Sequence, residues 1–300
     1  MQKRTFGRTD LAVSPLGFGG APIGYLKTDR DRVISLLNQL LDAGVNVIDT
    51  AASYPGSEEV IGEAIASRRD QFVLISKCGQ KFEDLPGDEW SAEVIQATID
   101  RSLKRLRTDR LDVMLLHSCG IDILKKGEAI AALVEAKNAG KIRHAGYSGD
   151  NDAAQYAAAH PDLDVLQTSI NITDQWNIDY VLPIVRQHNV GLMAKRPIAD
   201  ACWRNERPGL YQKYGQTYED RLKQMNLRAQ DFNLPWPELA LRFTLSFPEV
   251  STAIVGTTNP DNAKSNVATA AKGPLPPEQV EQIRALFHQT DPQGQWLGQT

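Results

Sequence analysis

The sequence predicts a (β/α)8 TIM barrel with an N-terminal β-hairpin and long substrate loops at the C-terminal rim, on three observations. Short apolar runs alternate with stretches of helical period, the alternation is unbroken, and it yields about eight strand–helix units within 300 residues. A doubly wound open sheet uses the same units and stays open as the competing architecture, although such sheets usually break or add a second domain beyond about six strands. The whole chain, residues 1–300, is therefore expected to form a single domain.

The elements follow in order. Phe6-Gly7-Arg8-Thr9-Asp10-Leu11 places turn residues between two extended pieces, which reads as the hairpin. Strand 14–19 is followed by helix 31–43, strand 45–49 by helix 57–67, strand 72–76 by helix 92–106, and strand 111–116 by helix 127–139. Strand 143–147 precedes helix 152–159, strand 165–168 precedes helix 179–188, strand 190–194 precedes helix 237–245, and strand 252–255 precedes helix 260–270. Gly44 and Gly140 stand where helices stop, the residue type a left-handed cap favours. Gly17-Phe18-Gly19-Gly20 is no dinucleotide fingerprint, and the Ala21-Pro22 behind it is not expected to open a helix. Segments 196–235 and 289–300 fall outside the alternation, and long loops in compact domains are more often functional than idle.

Composition narrows the function. A formal charge of −4, from 33 Lys+Arg against 37 Asp+Glu, provides no field for a polyanion, so no nucleic-acid partner is expected. The three cysteines, Cys78, Cys119 and Cys202, are widely spaced with no C-x-x-C pair, which suits a reducing compartment and offers no metal site. No apolar run is long enough to span a bilayer, and no leader-like stretch follows Met1-Gln2-Lys3-Arg4. These features predict a cytoplasmic protein without a membrane partner; they leave the oligomeric state open.

In a parallel barrel catalytic groups lie at the carboxyl ends of the strands. Three successive strands each end abruptly in a chemically active residue: Val47-Ile48-Asp49, Leu74-Ile75-Ser76-Lys77 and Met114-Leu115-Leu116-His117, with Tyr54 in the loop after Asp49. Taken singly, Asp49 reads equally as a turn cap, Lys77 as a solvated strand end, His117 as a structural histidine and Tyr54 as loop packing. Neighbouring strands lie about 4.8 Å apart, so together the four can converge, and the opposite rim carries no comparable set.

These residues resemble the aldo-keto reductases. Asp49-Thr50-Ala51-Ala52-Ser53-Tyr54-Pro55-Gly56-Ser57-Glu58 is similar to the family's D-T-A-x-x-Y-G-x-(S/A)-E segment, and Ser76-Lys77 and Leu116-His117 match its lysine and histidine strand ends. Leu241-Arg242-Phe243-Thr244-Leu245-Ser246 and Ile254-Val255-Gly256-Thr257-Thr258-Asn259 resemble two later motifs. The resemblance implies NAD(P)H-dependent reduction of an aldehyde or ketone to an alcohol. Tyr54 would give the proton, Lys77 would favour the phenolate, Asp49 would hold Lys77, and neutral His117 would polarise the carbonyl. It further implies a coenzyme held by Gly20, Ser148, Gln167, Asn171, Lys195, Arg196, Gly256, Thr257, Thr258, Asn259, Asn262 and Asn266, with NADPH preferred and NAD possible. Thr258, Asn259 and Lys264 would receive a 2'-phosphate.

Two departures from the pattern stand out. Ser148-Gly149-Asp150 replaces the usual Ser-Asn, and Lys195-Arg196 replaces a stacking tyrosine. The partner is a small-molecule carbonyl compound whose identity the sequence leaves open; Trp176 and Trp203 are candidate pocket walls. Two alternatives compete: a Schiff-base lyase or aldolase using Lys77 or Lys195, and a nicotinamide-binding regulatory protein with little turnover.

Overall fold

A computed structural model of the chain describes residues 1–26, 29–204 and 212–299. The hairpin β1 (Arg4–Thr5) and β2 (Ala12–Val13) precedes eight parallel strands: β3 (Leu16–Gly19), β4 (Val47–Asp49), β5 (Val73–Cys78), β6 (Leu111–His117), β7 (Ile142–Ser148), β8 (Val165–Ser169), β9 (Gly191–Lys195) and β10 (Val250–Val255). They close in sequence order, β10 pairing with both β9 and β3, so the sheet has no unpaired edge. The parallel (β/α)8 barrel is the fold, and the open-sheet competitor is excluded.

Helices follow the strands in turn: α1 (Ala21–Tyr25) and α2 (Arg30–Asp42), α3 (Ser57–Ile65), α4 (Ala92–Arg105), α5 (Ile121–Lys126) and α6 (Glu128–Asn138), α7 (Asn151–Ala159), α8 (Trp176–Tyr180) and α9 (Leu182–His188), α10 (Gln212–Gln224) and α11 (Trp236–Thr244), α12 (Pro260–Ala271) and α13 (Pro277–Thr290). One expectation is overturned at Ala21-Pro22. A single helical turn does start there, because proline in the first turn lacks only an N–H that has no helical partner anyway. Segment 196–235 is more ordered than an irregular loop, containing α10 and a short turn at Ala229–Phe232; its residues 205–211 lie outside the described residues. Helices α5 and α13 have no counterpart in the sequence reading.

The pleat of the strands decides what faces the barrel interior. Val47, Val73, Ile75, Val113, Leu115, Val165, Met193 and Ile254 pack together inside the barrel. Their neighbours Ile48, Leu74, Met114, Leu116, Leu166, Leu192 and Val255 turn outward into the layer shared with the helices. Phe6, Leu11 and Val13 from the hairpin join the inner cluster and plug its amino-terminal end. The plug requires glycine at position 7, where φ is +57° and a Cβ would lie 2.1 Å from the Gly191 backbone nitrogen. Continuing the inward parity by one step brings Asp49, Lys77, His117, Gln167 and Lys195 to the upper interior.

Contrary to the sequence reading, the lower rim also carries charge, but that charge is paired. Asp112 bonds Arg69 at 2.7 Å and Arg143 at 2.9 Å. Asp164 receives Lys137 at 2.7 Å, His144 at 3.2 Å and Arg8 at 3.3 Å, and Arg8 also reaches the carbonyls of Pro161 and Leu163. Partial burial alone would raise the Asp164 carboxyl, but the bonds from His144 and Lys137 prevail and hold it at about 2, against 3.8 ordinarily. Because the folded state resists protonation, this stabilisation is complete above about pH 4 and is lost as pH falls toward 2. Asp164→Asn is therefore expected to cost about 2 kcal/mol at pH 7, with the gap from the parent closing between about pH 4 and 2, as read by urea unfolding across pH.

Candidate active site

Lys77 is 1% exposed at the floor of the upper interior. Its Nζ donates to both carboxylate oxygens of Asp49 at 2.8 Å and to the Thr50 carbonyl at 2.7 Å. Burial works against the ammonium, but Asp49 and the Tyr54 hydroxyl beside it prevail and hold the amine above its ordinary range, so Lys77 is charged. Asp49 is braced from a second side: Gln167 Nε2 donates to it at 2.9 Å, and Ser148 Oγ donates to Gln167 Oε1 at 2.8 Å. A continuous chain of hydrogen bonds thus links β7, β8, β4 and β5.

Tyr54 sits above this pair on a tight turn, its N–H bonded to the Ala51 carbonyl at 3.0 Å. Lys77 Nζ lies 5.1 Å from the centre of the Tyr54 ring. His117 meets the same ring edge-on, with centres 5.8 Å apart, and its Nδ1 is 3.3 Å from Ser53 Oγ. Burial, reinforced by Lys77, Lys195 and Arg196, pushes the imidazole well below 6.5 and keeps it neutral.

Tyr54, His117, Asp49 and Ser53 open onto one cavity of about 930 Å³, with Lys77 beneath it. The cavity also reaches Ser148, Gln167, Lys195, Arg196, Gly256, Thr257, Thr258, Asn259, Asn262 and Asn266. Gly20 and Asn171 do not line it. Gly20 instead lets β3 approach β4: its N–H bonds the Asp49 carbonyl at 2.7 Å, and a Cβ would stand 2.8 Å from Ser57 Oγ. Asn171 is fully buried, and its Oδ1 accepts the Thr173 N–H at 2.9 Å. Trp203 is a cavity wall, stacked on Trp236 with ring centres 5.4 Å apart, whereas Trp176 packs on Tyr180 away from the cavity.

Asp150, in place of the usual amide, receives Lys195 Nζ at 2.8 Å, Thr168 Oγ1 at 2.7 Å and Asn177 Nδ2 at 2.9 Å. Burial opposes its charge, but Lys195 and Arg196 outweigh burial and hold the carboxyl below its usual range. Arg196 lies over the Tyr214 ring at 3.9 Å and donates to Ser169 Oγ at 3.0 Å and to the carbonyl of Gln299. Both lysines proposed for Schiff-base chemistry are paired with buried carboxylates; Lys77 is held as the ammonium with its donors on three acceptors, whereas burial outweighs Asp150 and lowers the Lys195 amine below its ordinary range. Lys77 therefore offers no free lone pair for attack on a carbonyl, and Lys195 Nζ is engaged by Asp150 at 2.8 Å. The three cysteines are buried and free, and burial pushes the Cys119 thiol up to about 12 and the Cys78 thiol higher, so neither forms thiolate readily.

Sequence reasoning missed Ser53, Tyr25, Gln80 and Asp200, which also line the cavity. Ser53 was legible in principle as the neighbour of Tyr54 in the same turn. Asp200 carried no local signal, since it lies on a left-handed turn with φ 49°.

The donor set fits a nicotinamide dinucleotide. Ser148 and Gln167 supply amide and hydroxyl groups beside the Lys77–Asp49 pair, Lys195 and Arg196 supply cations, and the N-terminus of α12 follows the Gly256–Asn259 strand end.

Comparison with known proteins agrees. The Aldo/keto reductase family profile matches residues 15–287. An aldo-keto reductase from Bacillus halodurans, solved in its holo form, superposes with a TM-score of 0.82 at 29% identity, covering 95% of this chain and 96% of that one. An uncharacterized oxidoreductase of Bacillus subtilis is 27% identical over 95% of this chain and 96% of its own length. An NADH-specific methylglyoxal reductase of Escherichia coli is 27% identical over 89% of this chain and 93% of its own. With the fold, the buried lysine–aspartate pair and the family profile in agreement, the chain belongs to the aldo/keto reductase family and is an oxidoreductase that reduces carbonyl groups with a nicotinamide coenzyme.

Proposed function

We propose that Tyr54 is the proton donor for reduction of a small aldehyde or ketone, with Lys77, Asp49 and His117 as its supporting groups. The observation that carries this reading is the charged, buried Lys77 lying beneath the Tyr54 ring and locked by both oxygens of Asp49. When bound, a reduced nicotinamide supplies hydride to the carbonyl carbon. Negative charge then develops on the carbonyl oxygen, and the Tyr54 hydroxyl proton is the one delivered to it. Lys77 stabilises the phenolate left behind, and Asp49 with Gln167 keeps the ammonium from rotating away. Neutral His117 has one N–H to offer the carbonyl oxygen, a preorganised donor at the cavity wall.

The coenzyme grip follows the cavity wall: Ser148 and Gln167 at the nicotinamide end, Lys195 and Arg196 toward the diphosphate, and Gly256, Thr257, Thr258, Asn259, Asn262 and Asn266 at the adenosine end. NADPH is the preferred coenzyme in this reading, because Thr258, Asn259 and Lys264 offer a hydroxyl, an amide and an ammonium to a 2'-phosphate. Turnover of a panel of aldehydes, ketones and sugars with each coenzyme tests it: kcat/KM is expected to be higher with NADPH. The reverse order would place this chain with its NADH-specific relative, and no oxidation of either coenzyme would refute the reading.

His117 provides an independent check on electrostatics. Its imidazole is held well below 6.5, so the ring stays neutral in the folded protein through that pH, and stability falls as pH drops below 6.5, where the unfolded ring takes a proton that the folded one refuses. In an NMR titration the His117 ring resonances are expected to stay flat through pH 6.5. An inflection there would show that the cations around it do not act as described.

A further inference from the structure

His117 has two ring nitrogens and, being neutral, one proton to share between them. Which nitrogen holds it decides whether the ring can donate to a carbonyl oxygen. Nδ1 is 3.3 Å from Ser53 Oγ, and Nε2 has no hydrogen-bond partner among the described residues. Two arrangements are possible at that contact. If Nδ1 donates, the Ser53 hydroxyl proton lacks an acceptor among the described residues, and Nε2 carries a bare lone pair. If the hydroxyl donates, both groups at the contact are satisfied, and the remaining ring N–H is on Nε2.

Satisfying both groups favours the second arrangement. We propose that Ser53 is a positioning residue: its hydroxyl donates to His117 Nδ1 and keeps the ring proton on Nε2, the nitrogen left to meet the substrate carbonyl. The turn that carries Tyr54 carries Ser53 as well. The Ala52 N–H bonds the Lys77 carbonyl at 3.3 Å, the Tyr54 N–H bonds the Ala51 carbonyl at 3.0 Å, and the Ser53 carbonyl accepts the Tyr25 hydroxyl at 3.3 Å. One short backbone segment thus sets both the proton donor and the tautomer of its neighbour. The inference rests on His117 being the carbonyl-polarising group.

The test uses ¹⁵N-labelled full-length protein without coenzyme, with His117 assigned by the signal lost in His117→Gln. The parent is expected to show the Nε2–H tautomer. Ser53→Ala is expected to shift it toward Nδ1–H and to lower kcat about tenfold, with coenzyme affinity unchanged by tryptophan quenching and with both properties restored in Ser53→Thr. An Nδ1–H tautomer in the parent, or an unchanged tautomer and rate in Ser53→Ala, would overturn the assignment of Ser53 while leaving a His117→Gln defect standing. Full turnover in His117→Gln would instead overturn the role of His117, and with it this inference.

Discussion

Replacing Tyr54 with phenylalanine is expected to lower turnover of any carbonyl substrate by about 10²- to 10⁴-fold, the range over which a positioned proton donor contributes. The change removes one oxygen and leaves the ring, so the edge contacts to His117 and Tyr25 persist. Nothing that holds the coenzyme in the proposed grip is touched. Coenzyme affinity, read by quenching of the five tryptophans, is therefore expected to stay within about twofold of the parent. A uniform loss of both would mean that the phenol acts in binding rather than in proton transfer.

The second large effect is on stability. Lys77→Met removes one partner of a buried ion pair and leaves the Asp49 carboxylate without its main counter-charge in the barrel interior. Breaking such a pair costs about 3–5 kcal/mol, because the remaining charge stays desolvated. Asp49→Asn combined with Lys77→Met takes out both charges and is expected to recover most of that stability. It should not recover turnover, since the group facing the Tyr54 oxygen is still missing. Urea unfolding of the single and double variants, with turnover measured on the same samples, separates the two roles. Equal stability of Lys77→Met and the parent would mean that the pair is solvated and not buried as described.

Much of the site was legible because the strand period does the placing. Val47 and Asp49, Ile75 and Lys77, and Leu115 and His117 are two residues apart on the same face of their strands. Apolar residues fill the barrel and the next inward position carries the chemistry. The same parity extends from Val165 to Gln167 and from Met193 to Lys195. What sequence could not give are contacts between distant strands with no local pattern. Gln167 is bonded to Asp49, 118 residues earlier, at the cavity wall, and Asp150, buried behind it, is bonded to Lys195. The helical turn at Ala21-Pro22 escaped for a different reason. Five residues are too few for a periodicity, and proline reads as a breaker unless its place in the first turn is known.

Single-turnover oxidation of pre-bound reduced coenzyme by a simple aldehyde, in the parent and in Tyr54→Phe, separates chemistry from binding and from product release. A slow decay of coenzyme absorbance in the variant, at matched coenzyme occupancy, is the outcome that follows from a phenol proton delivered over the Lys77–Asp49 pair. Equal decay rates in the two proteins would mean that the proton comes from elsewhere.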